Sequence, residues 1–102
     1  MTKTELRDII RNGEHSGVEF KRDTIDNRVL AKELVAFANL RGGIVLLGVE
    51  DDGTILGLTR YELANPNDPS SPRNYQKLEE WVMQACRDKI RPEIIPEQVL
   101  QP

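Results

Sequence analysis

Two groups of residues in this sequence are of types that do chemistry. The first is basic: Lys21, Arg22, Arg28, Lys32 and Arg41 gather around one helical stretch and its flanks. Lys32 and Asn39 are seven residues apart, two helical turns, and so share a face turned away from the apolar stripe. A groove lined by Lys21, Arg22, Lys32 and Arg41 is therefore a candidate phosphate-contacting surface; the plain alternative is a solvated polar face. Asn39 closes the same stretch just ahead of Gly42-Gly43. A turn of that kind lets a phosphate backbone approach main-chain N–H groups, or simply serves as a left-handed cap. The second group is acidic. Glu14 and Glu19 flank the start of a strand-like segment, and Asp51 and Asp52 follow another. Each has an ordinary reading too. Glu19 and Lys21 alternate on the outer face of a strand, Asp51 and Asp52 are common hairpin-turn residues, and Glu14 follows a helix end. His15 could ligate a metal or move a proton, but an exposed loop histidine needs neither role.

The elements that must position these groups follow from periodicity. Thr4 before Glu5–Arg11, with Asn12-Gly13 after, reads as a short capped helix. Gly17–Lys21 alternates apolar and polar residues as a strand, with Val18 and Phe20 inward. Residues 28–40 make the clearest helix, with Leu30, Leu34, Phe37 and Ala38 on one face, widened by Ala31 and Val35. Ile44–Val49 is a continuous apolar run, as expected of a strand covered on both faces. Glu50–Thr54 predicts a hairpin turn, and Ile55–Leu58 its returning strand. Residues 64–73 are rich in turn formers and predict an exposed loop. Asn74–Lys89 is again helical, with Tyr75, Leu78, Trp81, Val82 and Ala85 at core spacing, and Pro92 stops it. Core packing accounts for Tyr75 and Trp81, and Cys86 reads as a small apolar residue on that helix. Glu93–Leu100 could add a strand, limited to an edge by Pro96. The order predicts an α+β fold, a small mixed β-sheet with helices packed on it. The expected organisation is a single domain over 1–102, truncated at its C-terminal end or with its edge completed by a partner.

Composition narrows the classes. The chain has 102 residues, 38% hydrophobic and 30% charged, enough for one folded domain and too few for two. No unbroken apolar run, Ile44-Val45-Leu46-Leu47 included, approaches the roughly 20 residues a bilayer needs. Cys86 is the only cysteine, so neither an internal disulfide nor a cysteine metal cage can form. The expectation is a cytoplasmic protein without a membrane partner. A net charge of −3 argues against generic phosphate affinity, so any nucleic-acid role must rest on a local site.

Three motifs occur in order. Glu14 precedes Glu19-Phe20-Lys21; then comes Ala36-Phe37-Ala38-Asn39-Leu40-Arg41-Gly42-Gly43. Gly48-Val49-Glu50-Asp51-Asp52-Gly53-Thr54-Ile55-Leu56-Gly57 completes the set. Over residues 14–58 this resembles the Schlafen/Alba-like family of DNA-binding domains, and three pieces at these spacings are fairly specific. The resemblance implies a nucleic-acid-binding module of a larger transcriptional-regulator or helicase-related protein. On that reading Lys21, Arg22, Lys32, Asn39, Arg41, Gly42 and Gly43 contact DNA or RNA.

The resemblance also implies an alternative, a divalent-metal-dependent endoribonuclease acting as a homodimer. Its acidic residues match Glu14, Glu19 and Asp51, with Lys21 as the neighbouring lysine. Mg²⁺ or Mn²⁺ would be the ion, since hard cations prefer carboxylate oxygens. If the two strands run antiparallel and adjacent, the three carboxylates converge, a metal there could activate water, and Lys21 would meet phosphate. Family members have also been labelled ATPases, but the G-x-x-x-x-G-K-[ST] phosphate loop is absent here. A third alternative is an oligomerisation scaffold whose open sheet edge pairs with another copy.

Overall fold

Thr2, not Thr4, opens the first helix, its hydroxyl accepting the Glu5 N–H at 3.1 Å. This helix, α1, covers Lys3–Asn12 and ends at Gly13, whose φ of 81° suits glycine. The coordinates are a computed structural model that describes residues 1–86. The continuation of the last helix to Lys89, its stop at Pro92 and the strand expected over Glu93–Leu100 lie outside the described residues.

The first strand, β1, is Val18–Lys21, with Val18 and Phe20 buried and Glu19 and Lys21 half-buried. The second helix, α2, is Asn27–Asn39, capped by Asp26, whose carboxylate accepts the Arg28 N–H at 2.8 Å. It leads to β2, Ile44–Leu47, which pairs with β1 in parallel, Val18 opposite Ile44 and Lys21 opposite Leu47. The unit is thus a βαβ crossover, in which the helix returns the chain to the starting end of the sheet. The antiparallel arrangement required for the three carboxylates to meet is replaced by a parallel one.

Side chains of β2 alternate between two apolar clusters. Ile44 and Leu46 pack with Ile10, Val18, Phe20 and Val49 on the α1 side. Val45 and Leu47 pack with Leu30 and the last described helix. Both faces are engaged, but all four β2 residues stay half-buried. On α2, Leu30 is buried as its spacing predicts, whereas Val35 is 49% exposed and Ala38 is also exposed. Those two positions lie at the margins of the stripe, beyond the reach of the packing helix.

The hairpin after β2 is reduced to one antiparallel bridge, Val49 with Ile55, in place of a returning strand. Its turn is nonetheless well made: Gly53 has φ 89°, and the Asp52 carboxylate accepts the Thr54 N–H at 2.9 Å. Around the loop expected over 64–73, a two-residue ladder joins β3 (Glu62–Leu63) to β4 (Arg73–Asn74), a pairing too short to show in periodicity. The last described helix, α3 (Gln76–Cys86), buries Leu78, Trp81, Val82, Ala85 and Cys86, as its spacing predicts. Three helices with small parallel and antiparallel pairs make the α+β fold expected from the element order. Among the described residues, no helix is long and apolar enough to cross a membrane.

Candidate functional site

Because β1 and β2 are parallel, both leave the sheet at the same end. In open α/β sheets this C-terminal end is where ligand crevices form. Glu19 and Lys21 share the β1 face that carries Val45 and Leu47 on β2, the face covered by α2. They are therefore half-buried under the helix and not on a free outer surface. Lys21 Nζ lies 3.3 Å from Glu19 Oε1 and 3.8 Å from Glu33 Oε1 on α2. Burial alone would lower the Lys21 pKa. The hydrogen bond and charge of Glu19, with the charges of Glu33 and Asp51, outweigh it and raise the value. Next to it, Arg22 pairs with Glu50 just past β2. The geometry thus gathers Glu19, Lys21, Glu33 and Asp51 at one end, with the Arg22–Glu50 pair beside them. Four carboxylates there face two cations, so the local field is negative.

Glu14 has a different job. Its Oε1 accepts the Phe20 N–H at 2.8 Å, so the carboxylate satisfies a main-chain donor of β1. His15 and Val18 exchange backbone hydrogen bonds beside it, and His15 Nδ1 accepts the Gly17 N–H at 3.0 Å. These contacts cover the β1 edge that does not face β2.

The other candidate residues lie elsewhere. Asn39 ends α2, and Arg41, Gly42 and Gly43 follow it to the starting end of the sheet, opposite Lys21 and Arg22. A four-residue strand separates the ends by about 13 Å. All four are exposed, as is Lys32 along α2. Arg41 has φ 69° and Gly42 φ 113°, the left-handed backbone expected of a cap. A Cβ on Gly43 would stand 2.5 Å from the Phe37 ring, so this glycine lets the turn close over the helix. Neither Lys32 nor Arg41 makes an ion pair with another described residue. The proposed groove is thus spread over the module: Lys21 and Arg22 stand ion-paired at one end of the sheet, Arg41 stands at the other, and Lys32 lies along α2 between them.

Four residues here, Glu33, Asp23, Thr59 and Arg60, are not singled out by sequence reasoning. Glu33 sits on α2 beside the line of Leu30 and Phe37, and a charge so close to an apolar stripe calls for a partner. Which partner depends on strand direction. Asp23, only 2% exposed, accepts from Thr59 N at 2.7 Å, Thr59 Oγ1 at 2.8 Å and Arg60 N at 3.0 Å. Arg60 answers by donating to the carbonyls of Asp23 and Ile25, and its guanidinium stacks 4.1 Å from the Trp81 ring centroid. The latch fixes the chain immediately after Lys21-Arg22. No short-range pattern reveals it, since Asp23 and Thr59 are 36 residues apart.

Among the described residues, no three Asp, Glu, His or Cys side chains are grouped so that they could hold a metal ion. Glu14 is committed to Phe20 N–H and Glu19 to Lys21, so Glu14, Glu19 and Asp51 as placed do not make a ligand set.

Compared with known proteins, residues 14–101 match a family model described as Schlafen, AlbA_2. No curated protein and no solved structure matches the chain.

Proposed function

The chain belongs to the Schlafen AlbA_2 family, and on that premise we propose that it is a nucleic-acid-binding module holding a DNA phosphate backbone. The observation that carries this reading is the family match over residues 14–101. Exposure supports contact beginning at Lys32 and Arg41. Lys32 and Arg41 are exposed and without ion pairs among the described residues, and Asn39, Gly42 and Gly43 lie beside Arg41. Lys and Arg so placed are free to displace counterions from phosphate, whereas Lys21 and Arg22 must first give up their carboxylates. In this reading the module works within a larger regulatory or helicase-related protein and has no catalysis of its own.

The test is fluorescence anisotropy with labelled duplex DNA, single-stranded DNA and transfer RNA at two salt concentrations. Affinity that falls with salt and weakens in K32A/R41A supports the module; absence of binding at low salt refutes it.

The endoribonuclease reading draws on Glu19, Lys21 and Asp51 lying at one end of the sheet. Against it, no three such side chains are grouped for a metal among the described residues, and Glu14 Oε1 accepts the Phe20 N–H. Mn²⁺-dependent fragments of transfer RNA, lost in E19Q and D51N, would favour it over the binding module.

A further inference from the structure

We propose that Glu33 is an internal competitor for Lys21, withholding its ammonium from nucleic-acid phosphate until a ligand displaces the carboxylate. The proposal deepens the nucleic-acid reading and rests on it. Lys21 is the cation at the C-terminal end of the parallel pair that the α2 face covers, and Glu33 reaches it from α2 itself. The side chains of Lys21, Glu19 and Glu33 are 24%, 27% and 31% exposed, so water and salt screen their attraction only in part. Asp51 adds further negative potential at the ammonium. A phosphate approaching Lys21 therefore meets more negative than positive charge.

Glu19 and Glu33 do not hold Lys21 equally. Glu19 is its neighbour on one strand face and stands 3.3 Å away. Glu33 belongs to a different element, stands 3.8 Å away and is the more exposed carboxylate. It is the one a ligand can push aside without disturbing β1. With Glu33 neutralised, Lys21 keeps one close carboxylate and becomes available as a compact phosphate contact.

The experiment is a double-mutant cycle on duplex-DNA affinity, with wild type, E33Q, K21M and E33Q/K21M titrated by anisotropy at low salt. E33Q is expected to bind roughly 3- to 10-fold more tightly, the range for relieving a like-charge contact at a partly exposed site. That gain should vanish in the K21M background. An equal gain with and without Lys21 would show only a change of net charge and would overturn the proposal. Wild type binding DNA with no gain in E33Q would also overturn it, leaving the nucleic-acid reading intact. No binding by any variant, each verified as folded by circular dichroism, would overturn both. E33A provides a second neutral variant should E33Q misfold.

Discussion

A carboxylate at 2% exposure, as at Asp23, has lost its hydration and must recover it from the protein. Here it does so through Thr59 N–H, Thr59 O–H and Arg60 N–H, while the Arg60 guanidinium caps the carbonyls of Asp23 and Ile25. Asp23→Ala removes the acceptor and leaves those part-buried donors without their partner. We expect a loss of about 2–4 kcal/mol in urea unfolding, and a change within experimental error would refute the latch. Arg60→Lys keeps the charge but loses the planar fork over Trp81, so it should also destabilise, by about 1–2 kcal/mol. Lys21 gives a pH prediction. Its pKa is raised above the ordinary 10.5, against the lowering effect of burial, by Glu19, Glu33 and Asp51. A group with a raised folded value contributes stability below its unfolded pKa and loses it as pH rises through the folded one. Wild type should therefore lose thermal stability above about pH 10.5 in a way that K21M does not; parallel melting curves across that range would remove Lys21 from the account.

At the scale of elements, Gly48 explains why β2 stops where it does. Its φ is 83°, and a Cβ there would lie 2.5 Å from the Gly57 carbonyl oxygen. The Gly48 carbonyl in turn accepts the N–H groups of Leu56 and Gly57, binding the end of β2 to the returning chain. Gly48→Ala adds left-handed strain and a backbone clash together, so a loss of about 2–4 kcal/mol is expected in chemical denaturation. A stable G48A would mean the returning chain can shift without cost. The glycines of the motif are thus legible as backbone requirements, and so are α1, β1, α2 and α3 from their periods, although the cap of α1 falls at Thr2 and not Thr4. Strand direction was legible as well, since two neighbouring strands joined through a 13-residue helix suggest a parallel βαβ crossover, and the antiparallel condition overlooked it. What direction alone does not reveal is which side chains meet across α2, as Glu33 and Lys21 do. Burial of Asp23 was hidden for another reason, since a polar residue in a connection carries no periodic mark of where it points.

For the whole molecule, a net charge of −3 leaves little room for diffuse attraction to nucleic acid. Among the described residues, most cations outside α1 are already paired or stacked: Lys21 with Glu19 and Glu33, Arg22 with Glu50, Arg28 with Asp26, Lys77 with Glu62, Arg60 with Trp81 and Arg73 with Tyr61. Binding should then involve few phosphates, and its salt dependence counts them. With Lys32 and Arg41 as the contacts and Lys21 still withheld by Glu33, log affinity against log salt should have a slope of roughly −2 on duplex DNA. K32A or R41A alone should bring it to roughly −1 and weaken all sequences alike, as loss of a phosphate contact does. A slope near −5 or steeper in wild type would mean that the paired cations also reach phosphate, contrary to the division of the surface by ion pairing. The same plot tests the Glu33 device from outside, because freeing Lys21 in E33Q should add one phosphate and move the slope toward roughly −3. A tighter E33Q with an unchanged slope would place its gain in the general field of the molecule and not in a contact made by Lys21.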